Sequence, residues 1–449
     1  VMNRCDLHDV DPAKHLDTIR DYATGNPDEP WILGGGWAMH DYPGGIALAS
    51  VLDEAVADRP VLLHGAEGHG AWVNTRALEI AGIDAASSDP ADGRIERLAD
   101  GSPSGTLQEG AVDLVESHTP PVTVDQLRAG IATAQRYLTD LGITGWQDAW
   151  VTELDQAAYL EADAAGELQA DVVGALWWDR GRGMEQIDEL IERSRAGSAR
   201  FRPSAVKLMV DGVCENGTAA MLQPYEGGAD SGITFIDREV LLQAVPRIMA
   251  AGLQPHFHAI GDRAIRDSLD AVEAGNPVDI VATRPHIAHI QVIDPADVAR
   301  FGEIGVAANA QAFWACNDGC MVELTAPRLG TRTALQYPFR SLIDAGARFG
   351  CGSDWAVSTA DPFAQMAVAT TRQDVPSSEP FLPAEAITRE EALRGFTVGS
   401  AWINHREHES GTLESGKRAD LVVASDDPLV ASDLAAVTAD ATFIGGVAV

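Results

Sequence analysis

The chain has 449 residues, 45% hydrophobic and 6% aromatic, enough for one large core with appendages. Its 67 acidic against 32 basic residues leave a formal charge of -35, which argues against nucleic acid or anionic membranes as partners. No apolar run nears the ~18 residues that span a bilayer, no signal-peptide pattern opens the chain, and five cysteines, an odd number, point to a reducing, cytoplasmic setting without a disulfide framework.

Residues 10–23 are predicted helical: Asp11-Pro12 gives an N-cap and a first-turn proline, and His15, Ile19 and Tyr22 recur at helical spacing. Trp31 to Leu33 then runs into Gly34-Gly-Gly36, read as a turn. From residue 39 to 120 short strands such as Val61-Leu-Leu63 mix with Gly, Pro and Asp turns. This stretch is expected to be an inserted subdomain over the mouth of a barrel. His69 and Asn74 lie in it as candidate lid residues, a turn-forming role being the plainer reading. Residues 124–141 form a long amphipathic helix feeding a strand at 143–146. Helix-then-strand alternation continues to Thr397, the pattern of a parallel sheet.

Three apolar runs in that region end in chemistry. Residues 253–258 close on His256-Phe-His258, residues 280–289 on His286-Ile-Ala-His289, and residues 347–354 on Gly352-Ser-Asp354. A fourth run, Ser204 to Gly212, carries Lys207. The chain has three lysines in all, Lys14, Lys207 and Lys417, so a lysine inside an apolar strand is not surface filler. The strands of a (β/α)8 barrel converge at their C-terminal ends, and imidazoles with a carboxylate suit zinc or a similar divalent ion. A buried lysine loses its charge readily. Its neutral amine combines with carbon dioxide as a carbamate, which bridges two ions; an ion pair with Asp211 is the competing reading.

In the order Lys207, His258, His289, Asp354 the chain resembles the amidohydrolase superfamily, and within it the branch of N-substituted formamide deformylase and related metal-dependent hydrolases. Ile32-Leu-Gly-Gly-Gly-Trp37, Gly68-His-Gly-Ala-Trp-Val-Asn74, Gly142-Ile-Thr-Gly-Trp-Gln-Asp148 and Gly411 to Val423 extend the likeness over essentially the whole chain. The resemblance implies an α/β fold of (β/α)8 TIM-barrel type over residues 1–404, and a remnant of a small β-sandwich over 405–449. It implies one or two divalent ions, zinc first, on Lys207, His258, His289 and Asp354. Asp354 would take a proton from water and pass it to the leaving nitrogen. The family's opening His-x-His strand is not found ahead of Lys207. A longer N-terminus or a partner chain is the expectation, and the first barrel strand is expected to be missing from this chain.

His256 and His286 are expected to orient ligand rings, and His405 and His408 to be surface residues. Trp146, Trp150, Trp177, Trp178, Trp314 and Trp355 fall at or just past strand ends. Trp146, Trp178, Trp314 and Trp355, with His69 and Arg263, are the candidate substrate-binding groups. The expected activity is hydrolysis of a non-peptide C–N bond in a small hydrophobic N-substituted amide or formamide. Its rivals are an ester, lactone or cyclic imide in the same site, and a non-catalytic small-molecule-binding barrel. A homodimer is compatible with the sequence.

Overall fold

The computed structural model describes residues 4–449. The first of three sheets is mixed and six-stranded: β1 (Cys5–Asp6), β2 (Ile32–Trp37), β3 (Val61–Gly65), β4 (Gly70–Val73), β5 (Gly93–Arg97) and β6 (Pro103–Glu109), in spatial order β1-β2-β3-β4-β6-β5. The glycine run read as a turn is instead part of β2. Without side chains, Gly34 and Gly35 can lie flat between Cys5 and His64, where a Cβ would come within 1.9 Å and 2.5 Å of their carbonyl oxygens. The sheet therefore draws in strands from before residue 39.

The second sheet is parallel throughout and follows chain order: β7 (Gly145–Val151), β8 (Asp171–Trp177), β9 (Phe201–Met209), β10 (Gln254–Ala259), β11 (His286–His289), β12 (Ala307–Ala310) and β13 (Phe349–Cys351). Helices cross between consecutive strands, the topology of a (β/α)8-type barrel with seven strands. β7 and β13 are its edges, and among the described residues nothing pairs with their outer sides. One expected strand is shorter than its apolar run suggested. Residues Pro277–Thr283 are helical and only His286–His289 is extended, because Asn276 caps Val278 N and Pro277 fits the first helical turn.

The main core lies between this sheet and its helices. Phe257 between the two β10 histidines is fully buried on the helix side, contributing on the order of 2–3 kcal/mol. It packs with the Asp262–Glu273 helix, whose Ile265, Leu269 and Val272 recur at helical spacing and are buried. A second core joins β2 and β3 of the mixed sheet to Val213, Cys214, Ile260 and Val292. Those four residues lie on the segments leaving β9, β10 and β11, so the mixed sheet sits on the C-terminal end of the parallel sheet.

The chain ends in one three-stranded antiparallel sheet: β14 (Leu421–Ala424), β15 (Ala439–Ile444) and β16 (Val447–Ala448). Thr442 Oγ1 donates to Thr139 O at 2.6 Å, tying it to the Val124–Asp140 helix. No described helix is long and apolar enough to cross a membrane.

Candidate active site

Register builds the site in two levels. β9, β10 and β11 align Lys207, His256 and His286 side by side, and the period of two puts His258 on the same face as His256, one step nearer the C-terminal end. In the lower level Lys207 Nζ lies 3.3 Å from His256 Nε2, the His256 and His286 rings are 4.1 Å apart, and Asn309 Nδ2 meets His286 Nδ1 at 3.3 Å. In the upper level the His258 and His289 rings are 4.5 Å apart at 65°, and Trp314 stacks on His289 at 5.3 Å.

Strand alternation alone would not put His289 there. His289 and Ile290 take φ of 78° and 49°, and Asp354, just beyond β13, takes 55°. Left-handed values on non-glycine residues cost on the order of 1–3 kcal/mol each and persist where surrounding contacts impose them. For His289 that contact is Gln311 Oε1, which accepts its backbone N–H at 2.7 Å. Asp211, fully buried, fixes the next turn by accepting the N–H groups of Ile260, Gly261 and Ala220 at 3.0, 2.8 and 2.8 Å.

Burial dominates the electrostatics. It lowers the Lys207 amine from 10.5 to about 8, against an opposing pull from Asp354. It holds His256, His258 and His289 well below 6.5 and takes His286 to about 3, with neighbouring positive groups adding to the effect. The Asp354 carboxyl is raised by burial and drawn back down by Lys207 and His69. Near pH 7 these four imidazoles are therefore neutral, the state that ligates metals.

His69 comes from the other layer. Its ring centroid lies 5.1 Å from that of His258, and its Nδ1 meets Glu109 Oε1 and Oε2 at 2.9 and 3.1 Å. Burial opposes charge on this ring, but Glu109 outweighs it, and the His69 pKa is raised.

The other expected residues scatter. Trp178 is buried in the main core, and Trp146 packs against that core from the start of β7. Trp355 stacks on Tyr137 of the Val124–Asp140 helix at 5.0 Å. Trp150 and Trp177 stack on each other at 3.9 Å beside a surface cleft. Arg263 is exposed, its Nε reaching Met221 O at 3.4 Å. Asn74 caps the Thr75–Ala81 helix and braces Val61 N, a structural task. His408 is exposed, and His405 contacts Thr283 O. Glu109, Gln311 and Asp211 as a backbone anchor were not singled out by sequence reasoning. Glu109 lies 40 residues from His69, and no spacing rule connects the two.

His289 Nδ1 is buried without a hydrogen-bond partner, and the His258 Nε2–H donates to Gly212 O, which leaves its Nδ1 with the lone pair; both suit a ligand that accepts a lone pair, whereas His256 Nε2 faces Lys207 Nζ and His286 Nδ1 faces Asn309 Nδ2, so their orphaned nitrogens carry the protons. Among the described residues no three His, Cys, Asp or Glu side chains converge closely enough to hold an ion by themselves.

Comparison with known proteins adds to this geometry. The model of a family described as the amidohydrolase family matches residues 1–449. Protein LONG AFTER FAR-RED 3 of Arabidopsis thaliana is 29% identical over 95% of this chain and 75% of its own length. N-substituted formamide deformylase of Arthrobacter pascens is 29% identical over 84% of this chain and 70% of its own. The crystal structure of an uncharacterized metal-dependent hydrolase from Pyrococcus furiosus superposes with a TM-score of 0.70 at 25% identity, covering 96% of this chain and 84% of that one.

Proposed function

The chain belongs to the amidohydrolase family, and from that premise we propose that it is a metal-dependent hydrolase of a non-peptide C–N bond in a small, hydrophobic N-substituted amide or formamide. The observation that carries the site assignment is the pair of neutral, buried imidazoles His258 and His289, within one cluster with a lysine whose amine is lowered to about 8. Lys207, His258, His289 and Asp354 would hold the ion or ions, zinc first among candidates for imidazole and carboxylate donors. Lys207 would take part as a carbamate, since an ammonium has no lone pair to offer.

A divalent ion at this position supplies Lewis acidity, lowering the pKa of water and polarising a carbonyl oxygen. The protein's own groups do the rest. Asp354 accepts the proton of the attacking water and returns it to the leaving nitrogen. His256 packs beside Lys207 and orients it, with His286 packed behind His256; Trp314, stacked on His289, offers an apolar wall to the N-substituent. Likeness to a deformylase in sequence supports the amide class; fold alone does not.

The test is metal analysis of the purified protein together with turnover on matched panels of N-substituted formamides, esters, lactones and cyclic imides. Metal bound with formamide turnover at least about tenfold above the other classes supports the reading. Preference for an oxygen ester or an imide overturns the substrate class, and full activity after exhaustive chelation overturns the metal.

A further inference from the structure

The helix Pro362–Thr371 buries one polar side chain among apolar ones. Phe363, Met366, Val368 and Ala369 are buried, and Gln365 between them is fully buried too. A primary amide in such a place is costly unless its oxygen and both of its N–H groups find partners. Here all three do. Oε1 accepts the backbone N–H of Phe313 at 3.0 Å, and Nε2 donates to Thr359 O at 2.9 Å and to Ser358 Oγ at 3.3 Å. The backbone partners fix which way the amide points, since a peptide N–H needs an acceptor and a carbonyl oxygen needs a donor.

Those partners belong to two different loops of the site. Phe313 precedes Trp314 in the turn Ala312–Trp314 that follows β12, and Trp314 stacks on His289. Ser358 and Thr359 follow β13, on the loop that carries Asp354. Ser358 passes the contact on: its Oγ donates to Ser353 O at 2.8 Å, one residue before Asp354 and its left-handed φ of 55°. Ser353 Oγ in turn accepts the N–H of Trp355 at 3.2 Å. A left-handed aspartate is held by its surroundings, and this relay from Gln365 is part of what holds it.

We infer that Gln365 is a positioning residue of the active site: its amide bridges the Trp314 turn and the Asp354 loop and keeps the apolar wall and the carboxylate at one spacing. The inference rests on the proposed hydrolysis for the purpose of that spacing, and on hydrogen-bond geometry for the bridge itself. Gln365 touches neither substrate nor ion and takes part in no bond change. The group that meets the N-substituent and the group that moves the proton are thereby held as one unit.

The test uses the metal-loaded full chain. Gln365→Met keeps the length of the side chain and removes all three bonds. It lowers kcat on N-substituted formamides roughly 10- to 100-fold and raises KM at least about threefold, because both the base and the wall are displaced. Ser358→Ala cuts only the relay to Ser353. It lowers kcat roughly fivefold or more and leaves KM within about twofold, and Ser358→Thr, which keeps the hydroxyl, recovers the loss. Unchanged kcat in Ser358→Ala, or a loss that Ser358→Thr does not recover, overturns the inference. A readout without turnover separates this from the parent reading. In 19F spectra of protein labelled with 5-fluorotryptophan, assigned through Trp314→Phe and Trp355→Phe, Gln365→Met shifts both resonances, whereas Ser358→Ala shifts that of Trp355 and leaves that of Trp314. Should the wild type hydrolyse no formamide, the proposed activity fails, while these spectra still decide the bridge: either resonance unmoved in Gln365→Met overturns it. Should Gln365→Met not fold, Ser358→Ala decides alone, and an unmoved Trp355 overturns it.

Discussion

His256 on β10 stands level with Lys207 on β9, and its Nε2 lies 3.3 Å from the lysine nitrogen. A neutral imidazole offers a lysine a hydrogen bond but no countercharge, so burial prevails and the amine drops to about 8. The first consequence concerns carbamate formation, which needs the neutral amine. Relative to an ordinary lysine at 10.5, a value of about 8 raises the neutral share at pH 7 on the order of 300-fold. Metal-depleted protein supplied with bicarbonate and zinc should regain activity increasingly from pH 6 to 9, with a midpoint near the lysine value. A flat reconstitution profile would show that Lys207 ionisation does not limit assembly.

Lys207→Ala should lose bound metal and turnover while keeping its fold. Short carboxylates such as formate or propionate should restore part of both by standing in the place proposed for the carbamate. Metal content by mass spectrometry, with circular dichroism as the control, checks this; a variant that keeps its full metal complement contradicts the assignment.

Asp354→Asn keeps the shape of the side chain and removes its basicity. Turnover should fall by at least about 100-fold, the lower range of general-base effects, with little change in melting temperature. Undiminished hydrolysis would assign the proton transfer to another group.

Asp211 predicts a structural outcome. Its two oxygens accept three backbone N–H bonds, and an asparagine has one oxygen to offer in their place. Asp211→Asn should cost about 2 kcal/mol in urea unfolding and loosen the turn after β10. Burial pushes this carboxyl up to about 8 even against those donors, so the substitution also removes a group that is costly to ionise, which keeps the loss moderate.

The Arg284–Glu407 pair gives the acid limb of stability. Two charge-assisted bonds of 2.9 and 2.6 Å hold Glu407 at about 2, below the usual 4.5, Arg284 being the largest cause. A depressed carboxyl stabilises the fold fully above the unfolded value and loses that contribution as pH falls toward the folded one. Glu407→Gln should therefore destabilise by about 1–2 kcal/mol at pH 7. The gap from wild type should close between about pH 4.5 and 2. A difference that persists at pH 2 would assign it to packing instead.

What the sequence made legible follows from periodicity and local chemistry. The His256-Phe-His258 alternation and the lysine isolated in an apolar strand locate two strand ends without any structure. His289 was legible as a histidine at a strand end, but the left-handed turn that brings its ring against His258 depends on Gln311, from a different strand connection. Residues 280–283 read as strand from their apolar character, but they are helical because Asn276 and Pro277 start a helix just ahead of them. Trp178 and Trp355 show the limit most clearly. Position past a strand end does not say whether an indole faces the core, a neighbouring helix or the mouth. Glu109 was invisible because its partner His69 lies 40 residues away in sequence and meets it only when β4 and β6 pair in the mixed sheet.

The two-level stack of histidines also bears on how the strands find their alignment. Shifting β10 by one residue would turn both histidines onto the helix layer and bring Phe257 inward, an error the hydrophobic pattern rejects. Shifting it by two preserves that pattern and sets His258 opposite Lys207 in place of His256, an error the pattern cannot detect. In the native alignment Asp211 binds the N–H groups of Ile260 and Gly261, and a slide by two would break both bonds. The carboxylate thus adds to the native alignment an energy that burial alone does not supply.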